Sequence, residues 1–216
     1  MTFYKRTVLT IITLSILACM GCEKKASEEI DFGTFSGSLY QNKYFDMTIT
    51  IPSDWSIQDN QAKQQIASTG QKMLSGDDKN MQAIVKASEL QSLNLFIIFE
   101  HPLGTPVPFN LNISCVAERV SHMPGIREGK DYHFHAKKIL ESGKMDFSFP
   151  KEIYPENISG VDFHVMSVEL NMPGMTVTQE YYTTIMKGYA LSFIISFTND
   201  QERNTLKNIL QTLTFT

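Results

Sequence analysis

Apolar and polar residues alternate with a period of two in several segments of the chain, which predicts β-strands that bury one face. In residues 45–51 the alternation is strict and ends at Pro52. A turn at Asn42-Lys43 separates this segment from a short strand at Leu39-Tyr40, so the pattern predicts a hairpin. Residues 93–99 are apolar on both faces, which predicts a central strand covered on both sides. Further strands are predicted at residues 111–116, 145–149, 162–170, 176–186 and 189–197.

Apolar residues at helical spacing predict four helices. Two of them fall at residues 60–74 and 77–88, and Asp131 can cap a third. The fourth closes the chain, with Asn199 or Asp200 as its N-cap. Its apolar stripe consists of Leu206, Ile209, Leu210 and Leu213.

The strand predicted at residues 189–197 has one large apolar face and one mostly small face. The small face carries Ala190, Ser192 and Ser196, with Ile194 among them. Because small residues let a helix approach closely, we expect both faces of the sheet to be covered. Tight turns are predicted at residues 155–157, 172–175 and 187–188. The patterns therefore predict a single α+β domain, in which a largely antiparallel sheet has helices on both faces.

The first 22 residues have the layout of a secretory signal. Lys5 and Arg6 precede an uncharged apolar run at residues 8–18, and two cysteines follow at Cys19 and Cys22. A helix of 11 residues rises only about 16 Å, roughly half of a bilayer's hydrocarbon core, so this run cannot span a membrane alone. The segment predicts export from the cytoplasm.

The residues before the first cysteine, Ile16-Leu17-Ala18, resemble the lipobox of bacterial lipoproteins. This resemblance implies a signal peptide at residues 1–18 and lipidation of Cys19 by a thioether-linked diacyl group and an amide-linked chain such as palmitate. Cys22, which follows Gly21, is the alternative acceptor, and the signal would then extend to residue 21. An ordinary cleaved signal without a lipid is a further alternative.

Residues 19–38 are interpreted as the lipidation site followed by a flexible tether, and residues 39–216 as the globular domain. The segment after Cys22 is charged at first, then small and glycine-bearing, with no periodicity. The predicted location is therefore the cell envelope, on the extracytoplasmic side. Neither Met20 nor Glu23, which follow the two cysteines, is the aspartate associated with inner-membrane retention, which favours the outer membrane in a cell that has one.

Charge and cysteine content exclude several classes of function. The first 22 residues hold two of the 19 basic residues and none of the 23 acidic ones, so 17 basic residues face 23 acidic ones in the remainder. With this excess and no basic run, nucleic acid is not expected as a partner. Cys19 and Cys22 form a C-x-x-C only within the signal, which does not indicate a redox site. Cys115 lies in an apolar strand pattern and is expected to be buried and free, although a pairing with Cys22 is an alternative.

The histidines do not form an evident metal or catalytic motif. His133 and His135 lie two residues apart on a predicted helix and therefore point in different directions. His164 shares a strand face with Asp162, which predicts a surface ion pair rather than an acid–base pair. A hydrolase with a scattered site remains an alternative and would gather His101, His122 or His164 beside a carboxylate. No recognised catalytic signature occurs, so no catalytic residue, no metal site and no cofactor is predicted.

Methionine and tyrosine residues supply two further hypotheses. Met172 and Met175 flank a turn and could offer soft ligands to Cu(I) together with Met166 and Met186, but core packing is the commoner use of methionine. Tyr181 and Tyr182 are adjacent in a strand and face opposite ways. One is expected to be buried, while the other could lie on a surface that a partner uses.

Three segments together resemble the PsbP-like α/β/α sandwich group, which includes bacterial DcrB-type lipoproteins and a nuclear-import factor family. They are the opening from Tyr44 to Trp55, the middle Ile158-Ser159-Gly160-Val161-Asp162-Phe163, and the ending from Gln179 to Phe215. The resemblance covers roughly residues 38 to 216. It implies a non-enzymatic accessory or binding domain with a protein partner, and no functional residue can be transferred through it. The predicted function is therefore a lipid-anchored accessory domain of an envelope complex, with a hydrolase or a carrier of small ligands or metals as alternatives.

Overall fold

The computed structural model describes residues 30–216, so the predicted signal, Cys19 and Cys22 lie outside the described residues. The four helices are α1 (Asn60–Ser75), α2 (Lys79–Glu89), α3 (Gly129–Glu141) and α4 (Asp200–Leu210). The strands are β1 (Thr34–Ser36), β2 (Leu39–Asn42), β3 (Met47–Thr50), β4 (Ser56–Ile57), β5 (Ser92–Phe99), β6 (Asn112–Arg119), β7 (Phe147–Ser148), β8 (Tyr154–Ile158), β9 (Val161–Met172), β10 (Met175–Met186), β11 (Tyr189–Phe197) and β12 (Thr214–Phe215). Within this part of the chain no helix is long and apolar enough to cross a bilayer.

The strands form two sheets in which every pairing between described strands is antiparallel. The small sheet has the order β1-β2-β3-β12. The large sheet has the order β4-β5-β6-β11-β10-β9-β7, and β8 also pairs with β9. The prediction of a largely antiparallel sheet is therefore confirmed.

The main core lies between one face of the large sheet, the small sheet and α4. Ile113 and Phe193 of the large sheet are fully buried there together with Ile49 of the small sheet and Leu206 of α4. Asn199 caps α4 by accepting a hydrogen bond from the Glu202 N–H. All four residues of the predicted stripe are buried, as their helical spacing indicated, although Leu213 lies beyond the end of α4 at Leu210.

The opposite face of the large sheet is covered by two separate groups of helices. Helices α1 and α2 pack against β5, and α3 packs against β9 and β10. Helices therefore lie on both faces of the sheet, which confirms the predicted fold class. The middle strands β6 and β11 lie beneath the space between the two groups.

The predicted start of the domain at Leu39 is too late. Strand β1 pairs with β2 through a turn at Gly37, whose φ of +58° suits glycine, so residues 34–38 form a hairpin with the first predicted strand. Phe35 packs its ring 4.9 Å from that of Tyr40. Phe35 is a large aromatic residue in a segment otherwise made of small residues and glycine. It is the sequence feature that indicates folded structure before Leu39.

Three local predictions are also wrong. Residues 155–157, predicted as a turn, lie in β8, where Pro155 is tolerated because the strand has a partner on one side only. Strand β5 is not central, since one of its neighbours is the two-residue β4, although its residues 95–98 are buried on both faces. Helix α3 is capped by Glu128, while Asp131 accepts hydrogen bonds from the N–H groups of Arg127 and Glu128.

Candidate functional site

A cavity of about 220 Å³ lies between α3, the end of α2 and the middle of the large sheet. We refer to this space as the interhelical cavity. Its floor includes Met166, Tyr181 and Ile194, which are cross-strand neighbours on β9, β10 and β11. Its wall on α3 includes Ala136 and Ile139. The lining is therefore mainly apolar.

The small face of β11 explains why this space exists. Ser192 lies in the floor opposite Val116 of β6, and neither side chain is long enough to fill the gap between the helices. The small residues were expected to bring a helix close to β11. Instead α3 packs on β9 and β10, and the small face forms part of the floor of a cavity.

A second hollow of about 260 Å³ continues the interhelical cavity toward α1. The two spaces share Ser88, Val116 and Ile139 in their linings. The second hollow is bounded by Leu74 of α1 and Val85 of α2. An apolar groove thus runs from α3 to the pair formed by α1 and α2.

The serine, tyrosine and glutamate side chains of the interhelical cavity are hydrogen-bonded within the protein. The Glu118 carboxylate accepts hydrogen bonds from Tyr132 Oη at 2.7 Å and from Ser88 Oγ at 2.9 Å. Tyr181 Oη donates to Gln179 Oε1 at 2.8 Å. Burial raises the pKa of Tyr181 to about 12, and burial together with the Glu118 charge raises the pKa of Tyr132 well above its usual range. Both phenols are therefore neutral near pH 7, and each donates its hydrogen bond to another side chain of the protein.

Tyr181 and Tyr182 lie in two different environments, because adjacent residues of a strand point to opposite faces of the sheet. Tyr182 is fully buried in the main core, and its Oη donates to Glu180 Oε2 at 2.7 Å. Tyr181 faces the other way and lines the interhelical cavity. Glu118 and Tyr132, the paired polar groups of this cavity, were not identified as site residues. Glu118 lies on the face of β6 opposite the buried Ile113, Cys115 and Ala117, so the alternation predicted an exposed residue at this position.

His133 and His135 occupy different surroundings on α3. His133 has no exposed surface, and its Nε2 lies 2.9 Å from the carbonyl oxygen of His164. Among residues 30–216 its Nδ1 has no partner in hydrogen-bond geometry, although the Tyr181 backbone is close enough to favour protonation weakly. Burial lowers the pKa of His133 to about 4. His135 is exposed beside the interhelical cavity, so the two rings do not converge on one metal.

The predicted pair between Asp162 and His164 is wrong. His164 Nε2 lies 3.6 Å from Glu128, and Asp162 instead accepts a hydrogen bond from the Asn157 side chain at 2.6 Å. Cross-strand geometry decides this, because Asn157 lies directly opposite Asp162 in the β8–β9 pairing. Glu128 belongs to the cap of α3, a contact that strand periodicity alone does not reveal.

The three histidines considered for a hydrolase lie in separate places. His164 borders a polar cleft of about 360 Å³ together with Arg127 and Asp162. The His101 ring lies 3.4 Å from the neighbouring Glu100 carboxylate on the surface, and His122 is exposed. Among residues 30–216, no serine, threonine or cysteine side chain is hydrogen-bonded to the ring of His164. The structure therefore does not gather them into one site.

The sulfur-bearing residues do not gather either. Met166 lies in the floor of the interhelical cavity, Met172 is exposed at a turn, and Met186 packs against the main core. Within the described part of the chain, no group of three histidine, cysteine or acidic side chains has the spacing of a metal site. Cys115 is free and fully buried, as predicted, and burial raises the pKa of its thiol well above the usual range.

Neither a protein-family model nor a curated protein sequence matches this chain. Solved structures are similar in fold. A cyanobacterial PsbP from Synechocystis is 11% identical, with a TM-score of 0.50, and the match covers 85% of this chain and 96% of that one. A protein of unknown function from Pseudomonas aeruginosa is 15% identical, with a TM-score of 0.38 and coverages of 81% and 93%. LpqN of Mycobacterium tuberculosis, which is involved in cell envelope biogenesis, is 13% identical, with a TM-score of 0.40 and coverages of 78% and 82%.

The match to PsbP agrees with the arrangement derived above, in which an antiparallel sheet is covered on both faces. At 11% identity this match shows similarity of fold and carries no information about activity. The domain described by residues 30–216 has a PsbP-like fold.

Proposed function

We propose that this chain is a lipid-anchored bacterial envelope protein whose PsbP-like domain is a non-enzymatic binding domain that assists an envelope protein complex. The observation that carries the proposal is the chemistry of the interhelical cavity. Its lining is mainly apolar, and the hydroxyls of Tyr132 and Ser88 already donate to Glu118. Such a surface offers shape and apolar contact to a bound partner.

The anchor is supported by the amino-terminal sequence. A short apolar run after Lys5 and Arg6 ends at Cys19, preceded by the residues of a lipobox. Lipidation at Cys19, or at Cys22, would hold the domain on the extracytoplasmic side of a membrane. Two or more acyl chains give durable anchoring, whereas one chain binds only marginally.

The hydrolase alternative has weaker support in the geometry. Its best candidate, His164, faces Glu128 across 3.6 Å, and the same carboxylate oxygen also pairs with Lys130 at 3.0 Å. General acid–base catalysis needs a base within hydrogen-bond reach of the group that it activates. The hydrogen bonds of the described residues place no such hydroxyl beside His164.

Co-purification of the full chain tests the proposed function. A carboxyl-terminally tagged chain is extracted from its own membranes with mild detergent and compared with the double variant Cys19→Ser/Cys22→Ser. We expect one protein to co-purify in a fixed ratio with the anchored chain, and to be reduced with the variant, which leaves the membrane fraction. Recovery of the anchored chain without any partner in a fixed ratio would contradict the assignment.

A further inference from the structure

We propose that the interhelical cavity binds a single-chain amphiphile with a hydrogen-bond-donating head group, an amine or a hydroxyl. The apolar chain occupies the cavity and the hollow beside α1, and the head group lies against Glu118. This inference goes beyond the proposed association with a protein complex. It uses the same cavity, but it would stand even if no protein partner were found, because it concerns the binding of a small molecule.

The shape of the groove fits an elongated ligand. The interhelical cavity of about 220 Å³ and the adjoining hollow of about 260 Å³ meet at Ser88, Val116 and Ile139. Together they fall within the range of roughly 300–1,000 Å³ that ligand pockets occupy. A space made of two adjoining parts accepts a flexible chain better than a compact ring system.

The depth and the lining of the cavity favour an apolar occupant over water. Tyr132 and Tyr181 are deep enough in the protein for burial to raise both pKa values, yet each keeps some accessible surface, and both line the cavity. Ordered water needs two to four polar partners. The hydroxyls of Tyr132, Ser88 and Tyr181 are already bonded to Glu118 and Gln179, and Ser192 is bonded to Thr183. Apart from His135, the remaining lining of the interhelical cavity is apolar.

The charges of the lining select the head group. The charged residues that line the two spaces are Glu118 and Glu89, with no lysine or arginine among the lining residues. Because its two bound donors leave lone pairs free, Glu118 can accept another hydrogen bond but cannot donate one. An amine or hydroxyl satisfies this acceptor, whereas the carboxylate of a fatty acid would face like charge.

Displacement of a fluorescent probe measures both the binding of an apolar chain and the preference for its head group. The probe is N-phenyl-1-naphthylamine, and the competitors are dodecylamine, dodecanol and dodecanoate, which share one chain and differ in the head group. Titrations use the purified chain at pH 7, with every competitor below its micelle concentration. We expect saturable binding of the probe. The competition should give dodecylamine an affinity about tenfold higher than that of dodecanoate, with the affinity of dodecanol between the two.

Three variants locate the site. Ala136→Phe places a ring in the cavity and should weaken probe binding about tenfold, whereas the matched change Ala83→Phe, at an exposed position of α2 that lines neither space, should not. Glu118→Gln keeps the size of the side chain and should bring the amine and carboxylate affinities within about a factor of three. Circular dichroism checks that each variant is folded, and Glu118→Gln supplies the test should Ala136→Phe fail to fold.

Two results would overturn the inference. One is the absence of saturable binding of both the probe and dodecylamine to the wild-type chain. The other is binding that favours dodecanoate, or that keeps the same preference for the amine in Glu118→Gln.

Discussion

His133 is a neutral histidine enclosed between α3 and the strands beneath it. Its Nε2 lies 2.9 Å from the His164 carbonyl oxygen. Burial lowers its pKa from the ordinary 6.5 to about 4 and outweighs the hydrogen bond to the His164 backbone, which favours protonation. Between these values the unfolded chain binds a proton at this position and the folded chain does not. Folding stability therefore falls as the pH decreases from about 6.5 to about 4, and this loss is complete below pH 4.

This linkage predicts a measurable pH dependence. The shift corresponds to about 3 kcal/mol between pH 7 and pH 4, since one pKa unit is worth about 1.4 kcal/mol. Urea unfolding followed by circular dichroism at several pH values gives the slope. We expect His133→Leu to flatten it in this window, whereas His135→Leu, at an exposed position of the same helix, should keep it. An unchanged slope in His133→Leu would assign the dependence to other groups.

Lys63 is a second residue whose role depends on tertiary contacts. Its Nζ donates to the carbonyl oxygens of Asn94 and Leu95, at 3.1 and 3.3 Å, where a register shift in β5 leaves them available. Lys63→Met would keep the apolar stem but leave two carbonyls without this donor, at a cost of about 1–3 kcal/mol. Urea denaturation measures the change. Lys72→Met, at an exposed position of the same helix, is the control, and equal effects of the two variants would contradict this role.

Residue periodicity could predict which positions are buried but not the partners of the polar ones. Cys115 and the stripe from Leu206 to Leu213 were correctly expected in the core because alternation and helical spacing report burial directly. The contacts of His164 with Glu128 and of Tyr132 with Glu118 join segments far apart in sequence. No local pattern contains that information.

At the scale of elements, α3 is positioned by a very close approach to the sheet. A Cβ atom added at Gly129 would overlap the Thr183 carbonyl group and lie 3.1 Å from the His164 Cβ. Gly129→Ala should therefore push α3 away from β9 and β10 and destabilise the fold by about 1–3 kcal/mol, as overpacking does. Thermal unfolding tests this. Gly125→Ala, at a position with no neighbour within 4 Å, should leave the midpoint nearly unchanged, and equal midpoints for the two variants would contradict the packing account.

Elements closed by a tight turn were the most predictable. The β10–β11 hairpin matches its prediction closely because Lys187 and Gly188, at φ values of 50° and 83°, form the turn type that two-residue hairpins prefer. Strand β8 was missed because Pro155 and Asn157 are typical of turns. Its pairing with β9 is a tertiary effect that outweighs this local preference.

At the scale of the whole molecule, the candidate site arises from how the helices are spaced across the sheet. The stripes of α2 and α3 could each be predicted, but the gap between them could not, because it depends on α3 packing over β9 and β10. The small residues of β11 were recognised as unusual, and only the arrangement of helices shows that Ser192 lies in a cavity floor. Fold class was therefore more accessible from the sequence than the site.

The central claim is that this chain is an anchored binding domain, and native mass spectrometry of the tagged chain tests it most directly. The chain is extracted from its membrane in mild detergent and measured intact. We predict a chain that begins at Cys19, or at Cys22, carries the mass of three acyl chains and lies within a complex containing one further protein in fixed ratio. An unlipidated chain beginning at Glu23 or beyond, and present only by itself, would contradict both the anchor and the binding role.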